Sequence, residues 1–248
     1  MFTLSDLCIV GSKIELGFLP EGKILVNTIN AYSYNVAQKD SGFAEALIKG
    51  DYLIPDGAGI VMACRWLKAK SQPIERIAGW DLFEFEMAHL NSKIEKLKNE
   101  RTEIGRVMFV GSSEKVLKMI RKRAAVDYPN LEVVTYSPPF KPVFTEEDNT
   151  AMIDAINMAN PDLLWIGMTA PKQEKWTFQH WKELNIHCHV GTIGAVFDFY
   201  AGTMRRAPIW WQNHGLEWLY RLLKEPKRMW RRYLIGNLLF LWYIWHER

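Results

Sequence analysis

Residues 106–136 read RVMFVGSSEKVLKMIRKRAAVDYPNLEVVTY, and this stretch decides the fold class. Arg106–Val110 is a short apolar run that predicts a buried strand. Gly111-Ser112-Ser113 ends it, and Glu114–Val126 follows as a helix. Leu131–Tyr136 is the next strand. Strand, helix, strand with a connection of this length is a parallel crossover unit. The same alternation continues in both directions. Upstream, Lys23–Ile29 predicts a buried strand and Asn30–Lys49 a helix, with Ala31, Tyr34, Ala37 and Gln38 at helical spacing. Tyr52–Pro55 is a short strand, followed by helices at Ile60–Lys68 and Trp80–Lys98, the latter ending in a charged, solvated face. Downstream, Thr145 and Asp148 have capping-box spacing and open a helix to Ala159. Leu163–Gly167 is a buried strand. Pro171 suits the first turn of a helix through Leu184, and Ile186–Gly191 is the last strand. The expected fold is α/β: a Rossmann-like, mostly parallel sheet with helices on both faces. Sites in such sheets lie at the carboxyl ends of the strands. Here those ends are Thr28-Ile29-Asn30, Asp56-Gly57, Gly111-Ser112, Gly167-Met168-Thr169 and Gly191-Thr192, a rim of small and polar residues.

The chain closes differently. Residues 204–248 hold nine Lys/Arg against three Asp/Glu and six of the eleven tryptophans. The whole chain is +3, so this segment is +6 and the remainder −3. Basic charge interleaved with Trp and Tyr suits an anionic membrane face, and guanidinium forks also match phosphate oxygens. We therefore expect an α/β catalytic core over residues 1–203 and a helical, membrane-associating appendage over 204–248. The apolar run Leu234–Trp245 falls short of the roughly 20 residues that span a bilayer. MFTLSDLCIVGSKIELGF lacks the basic start and long apolar core of a signal peptide. Cys8, Cys64 and Cys188 have no metal or CxxC spacing, so reduced thiols are expected.

Several residues on the rim suit chemistry, and each has a plainer reading. Asp56 follows an apolar strand and precedes Gly57 and Gly59, which allow a ligand close to the backbone. Its carboxylate fits a general base, or equally the cap of the helix beginning near Gly59. Thr28 and Asn30 suit hydrogen bonds to a sugar or phosphate, or strand-end and cap polarity. Arg76 suits a phosphate or an ion pair with Asp81. Thr169-Ala170-Pro171-Lys172-Gln173-Glu174 opens a helix whose free N–H groups favour anions, with Gln173 on its first turn; an ordinary start with Glu174 on the dipole is the alternative. Arg205, Arg206, Arg221, Arg228, Arg231 and Arg232 suit a diphosphate, or membrane and solvent.

Other chemistries find no support. GxGxxG, GxxxxGK[ST] and a nucleophile-elbow serine are absent. There is no Asp-x-Asp pair, so a nucleotide diphosphate here would be neutralised by arginine and not by metal. His187-Cys188-His189 is read as part of a strand, its histidines sharing one face without an evident carboxylate partner, as packing or rim residues and not metal ligands.

Together these residues resemble the WecG/TagA/CpsF family of bacterial glycosyltransferases (family 26), over about Asn27–Asn237. The resemblance rests on Thr28/Asn30, PDGAGIV at 55–61, ERIAGWDL at 75–82, GMTAPKQEKW at 167–176, GAVFDFYAG at 194–202, RRAP at 205–208 and LEWLYRLLKEPKRMWRRYLIGN at 216–237. Thr192-Ile193 depart from the Gly-Val-Gly-Gly run usual there. Thr169-Ala170 stand where Gly-Ala or Gly-Ser is common.

The resemblance implies a metal-independent, inverting enzyme without cofactor. Such enzymes move a hexose or N-acetylhexosamine from a UDP-sugar to an undecaprenyl-diphosphate-linked sugar at the cytoplasmic membrane face, in teichoic-acid, common-antigen or exopolysaccharide synthesis. It makes Asp56 the base, Thr28 and Asn30 its helpers, and Arg76 and Gln173 part of the sugar pocket. Gly57, Gly111, Thr169 and Asp198 fall to substrate and nucleotide. Arg205, Arg206, Arg221, Arg228 and Arg231 fall to the diphosphate. An inert membrane-associated nucleotide-binding scaffold is the second expectation. Nucleic acid is disfavoured, because Leu238–Trp245 suits lipid better; exposed tail tryptophans also allow a homo-oligomer.

Overall fold

The structure is a computed structural model that describes residues 2–97 and 104–248, apart from the side chains of Asn213 and Arg228. In chain order the elements are β1 (Ile24–Ile29), α1 (Ala31–Ala37), α2 (Ser41–Ile48), β2 (Tyr52–Pro55), α3 (Ala58–Leu67) and α4 (Gly79–Leu97). Then come β3 (Gly105–Gly111), α5 (Glu114–Asp127), β4 (Leu131–Tyr136), α6 (Glu146–Ala159), β5 (Leu163–Gly167), α7 (Lys172–Gln179), β6 (His189–Thr192) and α8 (Gly194–Ala201). The chain ends in α9 (Ile209–Asn213), α10 (Glu217–Lys224), α11 (Pro226–Trp230), a π-helical turn (Arg231–Ile235) and α12 (Gly236–Glu247). The strands form one six-stranded parallel sheet of order β2-β1-β6-β5-β3-β4. This is the expected α/β Rossmann-like class. All five residues of β5 are buried, the physical reason that an interior parallel strand reads as an unbroken apolar run.

Most expected elements appear within a residue or two; the assigned end of α4 at Lys98 lies outside the described residues. Three stretches differ. The helix expected over Asn30–Lys49 is two helices, because Asp40 turns its carboxylate back to accept from the Phe43 N–H (3.0 Å) and starts α2 afresh. The helix expected to reach Leu184 stops at Gln179, with Pro171 at its cap. Beyond that end the Lys23 ammonium donates to the carbonyls of Trp181 and Leu184. The last strand accordingly begins at His189, so His187 lies before it and the two histidines do not share a strand. His189 has the carboxylate partner that spacing concealed. Its Nδ1 is 2.9 Å from Glu86 Oε1 on α4 and its Nε2 2.9 Å from the Pro20 carbonyl. Burial pulls its pKa down, but these two acceptors outweigh burial and raise it.

The chain forms two compact units. The first comprises residues 1–18, 28–78 and 205–248, the second 19–27 and 79–204. The core of the first joins Ile29, Tyr34, Phe43, Leu53, Ile60 and Cys64 to Phe240 and Ile244 of α12. Tyr34 meets the Phe240 ring edge-on at 5.3 Å. Its hydroxyl donates to Glu247 Oε2 (2.6 Å), while the N–H and hydroxyl of Ser5 donate to Oε1 (both 2.7 Å). Leu238, Leu241, Trp242 and Trp245 face outward. Thus α12 packs on its own unit with one apolar face and exposes another. Among the described residues no helix is long and apolar enough to cross a membrane.

The second unit is closed by Leu25, Val110, Ile156, Leu164, Trp176 and Val190 and their neighbours. Its strand ends approach closely. A Cβ on Gly111 (φ +125°) would lie 2.2 Å from the Gly167 carbonyl oxygen, so only glycine fits.

Candidate active site

In the first unit the ends of β1 and β2 lie together. The Asp56 N–H donates to the Ile29 carbonyl (2.8 Å), which sets Asp56 beside Thr28 and Asn30. The N-cap of α3 is Gly57, in extended backbone, and the half-buried Asp56 stands one residue before it. Asn30 caps α1: its Oδ1 accepts from the Ser33 N–H (3.0 Å), and the Ser33 hydroxyl accepts from the Asn30 N–H (2.7 Å). The capping box fixes the Asn30 side chain at the strand end, next to Gly57, whose missing Cβ would come within 3.6 Å of Asn30 Cβ.

Arg76 is brought to the same end of β2, because the Ile77 N–H donates to the Pro55 carbonyl (3.0 Å). Its guanidinium pairs with Glu217 of α10 at 3.0 Å, with the two side chains only 19% and 16% exposed. Arg206 stands 3.8 Å from the other Glu217 oxygen. Glu217 is delivered by the turn at Gly215 (φ +68°), which passes so near α3 that its missing Cβ would lie 3.1 Å from Ala58 Cβ. A 310 Å³ cavity opens there, lined by Ala58, Val61, Arg65, Arg76, Gln212 and His214 among others. Arg221 lies one turn beyond Glu217 on α10. Arg205 is exposed, and Arg231 lies over the Trp230 ring at 5.3 Å. Arg232 lies 4.2 Å over the Tyr32 ring. Arg228 is on α11, its side chain outside the described part. Thus Thr28, Asn30, Asp56, Gly57, Arg76 and Arg206 cluster within one unit.

The second unit carries the others. Gly111 faces Gly167 in register, and the Ser112 N–H donates to the Gly167 carbonyl (3.1 Å). Gln173 is buried rather than open to a ligand. Its Oε1 accepts from the Met168 N–H (3.0 Å) and its Nε2 donates to Glu174 Oε1 (2.8 Å), which shapes the turn bearing the exposed Thr169. Glu174, expected on a solvated first turn, is 2% exposed, and its Oε2 has no hydrogen-bond partner. Asp198 is tied to the end of α8, where its carboxylate accepts from the Thr203 hydroxyl (3.0 Å). The residues that depart from the family run are structural: buried Thr192 donates to Asn27 Oδ1 (2.8 Å) and the Ile193 N–H to the Ile166 carbonyl (3.0 Å).

The model of the glycosyl transferase WecG/TagA/CpsF family matches residues 14–248. The chain belongs to this family. It is therefore a glycosyltransferase. An N-acetylglucosaminyldiphosphoundecaprenol N-acetyl-beta-D-mannosaminyltransferase of Bacillus subtilis is 30% identical over 210 residues, covering 85% of this chain and 75% of the relative. The enzyme of the same name from Bacillus spizizenii is 29% identical, covering 94% and 84%. That of Staphylococcus aureus strain MW2 is 26% identical, covering 84% and 75%.

Two acidic residues of this WecG/TagA/CpsF chain went unread as site components: Glu217, which engages Arg76, and Glu174. The position of Glu174 after Pro171-Lys172-Gln173 gave a signal, but only packing shows it inside. Burial pushes its pKa from 4.5 up to about 7, against the lowering effect of the Gln173 hydrogen bond. Below pH 4.5 the carboxyl is protonated in both states. Between 4.5 and about 7 the unfolded chain loses the proton while the folded chain keeps it, so stability falls as pH rises. The loss amounts to about 3 kcal/mol. Urea unfolding of wild type and Glu174→Gln across pH 4–8 checks this: the difference between the two should change over that window and be flat above it.

Proposed function

We propose that this chain transfers a hexose or N-acetylhexosamine from a UDP-sugar to an undecaprenyl-diphosphate-linked sugar, with inversion and without a divalent metal. The observation that carries the reading is Asp56 set beside Thr28 and Asn30 where the ends of β1 and β2 meet, in a member of this family. Asp56 takes the proton of the acceptor hydroxyl as that oxygen attacks C1 of the donor. The new C–O bond forms on the face opposite the breaking bond to UDP, so the anomeric centre inverts. Thr28 and Asn30 orient the reacting groups. Arg76, held by Glu217, binds sugar or phosphate, and Arg205, Arg206, Arg221, Arg228 and Arg231 meet the charge gathering on the diphosphate. Gly111, Thr169 and Asp198 serve the nucleotide; Gln173 acts on the sugar pocket through the turn that it shapes. Residues 204–248 attach the enzyme to the cytoplasmic membrane face, where the lipid acceptor resides. The acceptor named by the relatives favours a polyprenyl-diphosphate-GlcNAc acceptor and UDP-N-acetylmannosamine as the first donor to try.

The test is transfer from a panel of radiolabelled UDP-sugars to short-chain polyprenyl-diphosphate-GlcNAc in the presence of EDTA. Transfer from one donor with a product of opposite anomeric configuration is expected. Activity that appears only on adding a divalent metal overturns the arginine reading. UDP binding with no transfer from any donor to any lipid-linked acceptor favours the inert scaffold.

A further inference from the structure

The outward side of α12 is apolar along its length: Leu238, Leu241 and Trp245 recur at helical spacing, and Trp245 is 67% exposed. This stripe does not end with the appendage. Trp66, at the last turn of α3 and 179 residues earlier in the chain, stacks on Trp245 with ring centroids 5.7 Å apart and planes 25° from parallel. The Arg248 guanidinium lies over the Trp66 ring at 4.8 Å. Met62, one turn before Trp66, is also exposed. The charges that α3 itself carries outward are positive. Helix α3 has no acidic residue, and Arg65, Lys68 and Lys70 are exposed on it and just after it. The sole acid of α12, Glu247, is turned inward to Tyr34 and Ser5.

We propose that the outer faces of α3 and α12 form one docking surface for an anionic lipid bilayer, to which the core helix contributes as much as the tail. The proposal deepens the reading above, which placed membrane attachment in residues 204–248 alone. Amphipathic tryptophan rings flanked by cations suit the boundary between headgroups and acyl chains, and uncompensated positive charge adds attraction to acidic lipids. A second copy of the chain is the poorer occupant, since like charges on Arg65, Lys68 and Arg248 of each copy would meet.

The experiment is co-sedimentation of the full chain with vesicles of phosphatidylcholine, with and without phosphatidylglycerol. Wild type should prefer the acidic vesicles. Trp66→Ser should lower partitioning about tenfold, and Lys68→Glu should lower it on acidic vesicles only. Phe140→Ser, a more exposed aromatic on the second unit, should bind as wild type. Transfer to the short-chain, water-soluble acceptor should persist in all three variants, which also reports that they fold. Unchanged partitioning of both Trp66→Ser and Lys68→Glu overturns the proposal. So does a wild-type oligomer that Trp66→Ser converts to monomer without altering vesicle binding, which would assign the patch to a second copy. Failure of the transferase reading is separate: wild type would bind vesicles and transfer nothing.

Discussion

Asp56→Asn is expected to lower sugar transfer by roughly 10²–10⁴-fold, the range for loss of a positioned general base. Asparagine keeps the size and hydrogen-bonding reach of the side chain but cannot accept the acceptor proton. The Asp56 N–H bond to the Ile29 carbonyl does not involve the side chain, so the exchange leaves that backbone link in place. The loss should therefore fall on kcat, with the melting temperature and UDP affinity near wild type. Initial rates with the short-chain acceptor, alongside UDP titration calorimetry, separate these quantities. A variant that transfers within a few-fold of wild type would remove Asp56 from the chemistry. A variant that is inactive because it no longer folds would give Asp56 a structural role, such as capping α3.

The second large effect concerns stability. Phe240→Ala should cost about 3–5 kcal/mol, the usual range for emptying a buried aromatic site. Phe240 is 4% exposed and meets Tyr34 edge-on, in a cluster with Ile29, Ile60 and Cys64. Leu238, two residues away, is 70% exposed and supplies the contrast. Leu238→Ala should stay within about 0.5 kcal/mol of wild type, as surface changes do. Urea unfolding midpoints for the pair distinguish an integral helix from a loosely attached one. If both variants unfold with wild type, α12 adds nothing to the core of its unit.

These expectations show what was legible in the sequence and what was not. Strands β2 and β5 fall on the stretches assigned from their apolar runs, because a buried parallel strand must be apolar on both faces, and half-buried β4 was legible as the strand that completes a βαβ unit. Capping by Thr145 and Asp148 was equally plain, since a box is written in four adjacent residues. The break at Asp40 was misread because an aspartate inside an amphipathic run also suits the solvated side of a single helix. Past the early stop of α7 the chain is held by Lys23, about 160 residues from the carbonyls it meets, a contact that no local pattern announces. At the site, Thr28, Asn30, Asp56 and Arg76 stood out because each follows an apolar strand or belongs to a motif. Their organiser did not: Glu217 reaches Arg76 across 141 residues. Gln173 was found, but its direction was not, since polarity at a helix start does not tell a ligand contact from a buried brace.

The hydrogen bonds from Ser5 to Glu247 span 242 residues of sequence. A ribosome adding about 5–20 residues per second needs roughly 10–50 s to cover that interval. Throughout it, Tyr34 and its apolar neighbours have been synthesised while the aromatic helix that covers them has not. The second unit draws on residues 19–27 and 79–204, all made before the appendage, and can mature during elongation. Final closure of the first unit thus waits until α12 has been synthesised, and the exposed apolar face of that helix emerges after most of the core that orients it.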